Sequence, residues 1–89
     1  MNHIVKRAGH KESYDARKVY ASVYAACLAV RIHPAEAELV ADKVTQSINA
    51  WVTDKTQVTS QGIFLQVTEV LRSLNPDAAY MYRTHRDVS

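Results

Sequence analysis

The sequence predicts an α+β fold, mainly α, in which an amino-terminal two-stranded β-hairpin caps a four-helix bundle. Two short polar and β-branched stretches flank a glycine-bearing turn within the first fourteen residues. Long segments beyond them repeat apolar residues at helical spacing, and Pro34 and Pro76 fall where helices start. A chain of 89 residues supports one domain, taken as 1–89, with a modest core and little room for a deep catalytic cleft. Its 47% hydrophobic and 22% charged residues are a globular composition, far from that of a disordered segment.

Ile4-Val5-Lys6-Arg7 and Lys11-Glu12-Ser13-Tyr14 read as strands around a loop of Ala8, Gly9 and His10, with Gly9 free to take positive φ. Two strands alone are marginal in water, so the hairpin must rest on helices or on a ligand. Asp15 is placed to cap a helix over 16–30, whose buried stripe is Val19, Val23, Ala26, Cys27 and Val30. Pro34 opens a second helix with Glu36 and Glu38 in its first turn, where acidic groups complement the helix dipole. Its apolar face runs from Leu39 to Val52, and it ends near Trp51. A polar connector over 53–58 leads to Thr59 or Ser60 as the cap of a third helix, with Ile63, Phe64, Val67, Val70, Leu71 and Leu74 on its buried face. Asn75-Pro76-Asp77 breaks that helix and restarts a short fourth one to about His85, with Tyr80 facing the core and Tyr82 the surface or an interface.

Charge and composition exclude several function classes. Eleven Lys and Arg against nine Asp and Glu are too mild an excess for nonspecific polyanion binding, so any anion site must come from local clustering. The single Cys27 allows neither an intramolecular disulfide nor a cysteine-based zinc site, and it falls on a core stripe. His3, His10, His33 and His85 lack metal-ligand spacing. The longest apolar run, over 24–30, is far below the ~20 residues needed to cross a bilayer, and no secretory signal opens the chain, so the cytoplasm is expected. Neither a phosphate-binding glycine loop ending in Lys-Ser or Lys-Thr nor a nucleophile, histidine and acid pattern appears, so binding without turnover is expected.

One constellation stands out. Lys6 and Arg7 lie on the first strand, and Lys18 lies in the first turn of the helix fed by the second strand, so three cations approach one place. Alternation sends Lys6 and Arg7 to opposite faces of the strand, an obstacle that a twisted ribbon reduces. The first-turn amides near Ala16 to Lys18 would add to an anion site. On spacing alone the three cations read more readily as solvated surface charges, one of them paired with Glu12 or Asp15.

The pattern Val-Lys-Arg-x-Gly-x-x-Glu-x-Tyr-Asp-x-x-Lys-Val, read from Val5 to Val19, resembles the opening signature of the ATP-cone family, the allosteric domain of many ribonucleotide reductases and of their repressor. Val58-Thr59-Ser60 leading into the third helix, and Ala79-Tyr80 with Arg83 and Arg86 in the last, are similar to the rest of a cone, so the resemblance covers almost the whole chain. It implies an ATP or dATP ligand, with magnesium arriving on the triphosphate. Lys6, Arg7 and Lys18 would grip the phosphates; Val5, Glu12, Tyr14, Asp15 and Val19 would border base and sugar; Thr59 would meet the base. These residue types suit the task, because guanidinium and ammonium groups complement phosphate and apolar walls complement a purine. Ala8 departs from the Asp or Asn usual in the turn. Gly62, beside Ile63 where some cones carry a polar side chain, reads either as a close approach of nucleotide or hairpin backbone or as simple tolerance at a helix start.

The resemblance further implies nucleotide-dependent association with a reductase subunit, another regulated protein or a second copy; the 89 residues hold neither a catalytic barrel nor a zinc ribbon, so they read either as a standalone chain whose partner lies on another polypeptide or as an excised domain. A small basic nucleic-acid-binding protein is the alternative from another class. It is disfavoured because the second and third helices carry acidic residues and no basic stripe. A plain helical interaction module is the third reading, and it predicts no nucleotide effect.

Overall fold

The computed structural model describes residues 3–85. Its elements run β1 (Ile4–Arg7), β2 (His10–Ser13), α1 (Ala16–Ala29), α2 (Pro34–Thr53), β3 (Gln57–Thr59), α3 (Ser60–Leu74) and α4 (Pro76–Thr84). The mainly helical α+β class and the four helices are as expected. The sheet is not, because β1 is its centre, antiparallel to β2 and parallel to β3, in the order β2-β1-β3. The stretch expected as a polar connector therefore supplies a third strand. Val58 is its one buried side chain, and it pairs with buried Val5. That apolar pair and the amide of Ile4, which donates to Thr56 O at 3.1 Å, fix β1 to β3, which runs directly into α3.

The hairpin turn has two residues, one fewer than expected, so β2 starts at His10. Ala8 has φ 47° and Gly9 φ 87°, the paired positive values of a type I′ turn, whose twist matches that of the flanking strands. Ala8 holds the left-handed region at a cost of roughly 1–2 kcal/mol for a residue with a Cβ.

Each helix start is capped by a side chain. Asp15 accepts from Arg17 N, His33 from Ala35 N, Thr59 from Gly62 N and Asn75 from Ala78 N, which satisfies amides that a first turn leaves unpaired. The end of α1 closes through Arg31, at φ 67°, with Arg31 N donating to Leu28 O and Ile32 N to Cys27 O. The core joins Val19, Val23 and Cys27 of α1, Ala37, Ala41, Val44, Ile48 and Val52 of α2, Val67 and Leu71 of α3, and Ala78 and Ala79 of α4.

Expectations about burial are corrected at Tyr80, Tyr82, Leu74 and Leu39. Tyr80 is 61% exposed, and Tyr82 is the half-buried one, stacked on Phe64 with ring centroids 5.4 Å apart. Ala78 and Ala79 define the buried face of α4, and Tyr82 follows them at i+4 and i+3 while Tyr80 does not. Leu74, expected on the buried face of α3, is 41% exposed, and Leu39, expected to open the apolar face of α2, is exposed because Ala37, Ala41, Val44, Ile48 and Val52 set that face. At Gly62 a Cβ would meet Thr59 Oγ1 at 3.1 Å and the Trp51 ring at 3.6 Å, so the close approach there is to the helix's own cap and to α2. No described helix is long and apolar enough to cross a membrane.

Candidate nucleotide site

The alternation of β1 sorts the candidate residues. Val5 is buried against the helices, and Arg7, two residues on, shares its face. Lys6 takes the opposite face with Thr59, its neighbour in the parallel register. The obstacle foreseen from the sequence is thus present in the fold.

Between the sheet, α1, α3 and α4 lie two adjoining cavities. The smaller, of about 180 Å³, is walled by Val5, Glu12, Tyr14, Asp15, Lys18 and Val19 together with Ser13, Ser22, Ser60, Ile63 and Tyr82. The larger, of about 530 Å³, has Arg7 at one end and His85 of the α4 cap at another. One wall is a run of small side chains on α1, Ser22, Ala25, Ala26 and Ala29; facing it are Ile63 and Phe64 of α3 and Met81 and Tyr82 of α4. Ser22, Ser60, Ile63 and Tyr82 line both, so the two form one cleft. Lys6 and Thr59 line neither. This groove is larger than the chain length suggested, because α1 packs on α2 and α4 and hardly touches α3.

The charged groups are arranged for exchange. Lys18 Nζ lies 3.1 Å from Glu12 Oε1, an exposed pair with side chains 69% and 41% accessible. Pairs of this kind contribute about 0.2–1 kcal/mol, so an anion can displace Glu12 at little cost. Asp15 caps α1 and also binds the Arg17 side chain at 3.1 Å, and those hydrogen bonds hold its carboxyl below the ordinary carboxylate value. Tyr14 donates its hydroxyl to Asn49 Oδ1 of α2 at 2.8 Å. Burial first, and then the Asp15 carboxylate, push its phenol pKa up, so it remains a donor at neutral pH. Asp15 and Ser60 bring the amino termini of α1 and α3 to the same cavity, where the partial positive charge of both helices favours an anion.

Sequence reasoning missed Ser22, Ser60, Ile63, Phe64 and Tyr82 as site walls. The expectation that Ile63 and Phe64 lie on the buried face of α3 is half right, since Ile63 packs against the core, Phe64 stacks on Tyr82, and both face the cleft. The signal available was the small-residue run over 25–29, which leaves a hollow beside a helix otherwise rich in large side chains. Arg83 lies over the Tyr80 ring at 5.5 Å, outside the cleft, and Arg86 lies outside the described residues. Cys27 is fully buried, and its thiol is pushed up chiefly by burial and further by Glu36, which leaves it a core residue.

A concave, mostly apolar cleft with cations and two helix termini at its edge is the form of a binding domain for a small anionic ligand. The chain belongs to the ATP-cone family: the model of the ATP cone domain matches residues 2–88. Domains of this family bind ATP or dATP as allosteric effectors and are regulatory, typically of ribonucleotide reductases, and not catalytic. No curated protein and no solved structure gives a significant match.

Proposed function

We propose that residues 1–89 act as one regulatory domain that binds ATP or dATP in this cleft and passes the signal on by nucleotide-dependent association. The regulated activity is that of a ribonucleotide reductase or its transcriptional control, in the cytoplasm, and the chain itself turns nothing over. The observation that carries this reading is the convergence of Val5, Glu12, Tyr14, Asp15, Lys18 and Val19 on one cavity that opens into a larger one ending at Arg7. The larger volume, about 530 Å³, lies within the roughly 300–1,000 Å³ usual for small-molecule sites.

In this proposal Arg7 and Lys18 hold the phosphates, Lys18 exchanging Glu12 for phosphate oxygen, and magnesium accompanies the triphosphate. Val5, Tyr14 and Val19 wall the base and sugar, while Glu12 and Asp15 offer acceptors to amino and hydroxyl groups. Lys6 takes part through the twist of the hairpin, since β1 is the central strand and leaves no free edge for its side chain to pass. Thr59 contributes by fixing the amino terminus of α3, since its Oγ1 is engaged by Gly62 N at 2.9 Å.

Calorimetric titration with ATP, dATP and GTP in magnesium tests this. Adenine nucleotides are expected to bind saturably. Arg7→Ala and Lys18→Ala should each weaken binding by about tenfold or more, the usual scale for a lost charge-assisted hydrogen bond. Absence of saturable adenine nucleotide binding, or full affinity in both variants, would refute the assignment.

A further inference from the structure

The outer face of α2 carries a surface that the nucleotide cleft does not use. Its lining residues include His33, Glu36, Leu39, Val40 and Lys43, flanked by Leu74 of α3, and the groove continues past Lys43 to Gln46. It shares no lining residue with the cleft. Leu39 is 63% exposed and Leu74 41%, the largest apolar side chains on this face. Neither Glu36 nor Lys43 has an ion pair with another described residue, and seven positions of helix, about 10 Å, keep them from pairing with each other.

We infer that this face binds a second copy of the chain through antiparallel contact of the two α2 helices. The argument is self-complementarity about a two-fold axis placed between residues 39 and 40. Such an axis sets Glu36 against Lys43 of the second copy, Leu39 against Val40, and His33 against Gln46, each pair occurring twice, as an isologous interface requires. The unused hydrogen-bonding atoms match as well. His33 Nδ1 accepts from Ala35 N at 3.1 Å, which leaves Nε2–H to donate. Gln46 Nε2 donates to Asp42 Oδ2 at 2.8 Å, which leaves Oε1 to accept. Leu39, Val40 and Leu74 supply the apolar centre, and the charged and amide pairs its ends. One helix pair buries less than a standard interface, so the dimer is weak and concentration-dependent.

This association stands apart from the nucleotide-dependent one proposed above: the surface exists without nucleotide, so it is tested in the nucleotide-free protein. Sedimentation of the whole chain over a series from micromolar to about millimolar should show reversible dimer formation. Glu36→Lys and Lys43→Glu should each weaken it by about tenfold or more, because each creates two like-charge contacts. An equimolar mixture of the two variants should recover the dimer, since in the mixed pair both contacts join opposite charges. The double variant carrying both changes should recover it alone. A wild-type chain that stays monomeric throughout, single variants that dimerise like the wild type, or a mixture that stays monomeric would each overturn the inference. ATP titration of the same variants should be unchanged, so a loss of nucleotide binding would count against the sensor reading and not against this surface.

Discussion

Among the described residues, two carry backbone conformations that their side chains disfavour, and each closes a turn. Ala8 sits in the hairpin turn that aligns β1 with β2, and Arg31 sits at the end of α1. Ala8→Asn and Arg31→Gly should each stabilise the fold by about 0.5–1 kcal/mol, because Asn and Gly accept positive φ more readily. Denaturant titration reads the gain, and a loss of stability in either variant would contradict the geometry. Asp15 gives a pH dependence of definite sign. Its folded carboxyl lies below the ordinary value because Arg17 donates to it through side chain and backbone. The stability it contributes is present above the unfolded value and is lost as the pH falls through the folded one. Asp15→Asn should therefore lower stability near neutrality, and its difference from the wild type should vanish as the pH falls below the usual carboxylate range, which flattens the acid limb of the profile.

Among the elements, the helices were legible in the sequence and the third strand was not. Asp15, Pro34, Thr59 and Asn75-Pro76 announce the helix starts by local chemistry, and the apolar spacing between them is regular. Gln57-Val58-Thr59 offers one buried side chain, and its partner Val5 lies more than fifty residues away, so no local pattern identifies the pairing. The misassigned tyrosines were decidable from Ala78 and Ala79, which set the buried face of α4. For α3, the last two positions of its apolar stripe differ sharply: Leu71 is fully buried and Leu74 is 41% exposed. Leu71→Ala should cost about 2–5 kcal/mol, and Leu74→Ala no more than about 0.5–1 kcal/mol. Equal losses at the two positions would mean that the helix packs on another face.

Across the whole molecule, the cleft is assembled from segments far apart in the chain: Arg7, residues 12–19, the α1 face from Ser22 to Ala29, the start of α3, and the end of α4. The cationic hairpin was readable because its signature is contiguous. The apolar wall across from it was hidden, since Ile63, Phe64 and Tyr82 look like ordinary core positions until the packing of α1 on α2 and α4 leaves the start of α3 uncovered. A ligand bridging these segments stabilises the folded chain by mass action, about 2.7 kcal/mol at a hundredfold excess over Kd, so ATP should raise Tm in a concentration-dependent way.

The most direct test of the central claim is a map of backbone amide shifts across the chain as ATP and magnesium are added. The largest changes are expected at Arg7, from Glu12 to Val19, at Ser22, from Ser60 to Phe64, and at Tyr82. Shifts absent from these positions, or confined to the outer face of α2, would contradict a nucleotide site between the sheet and the helices.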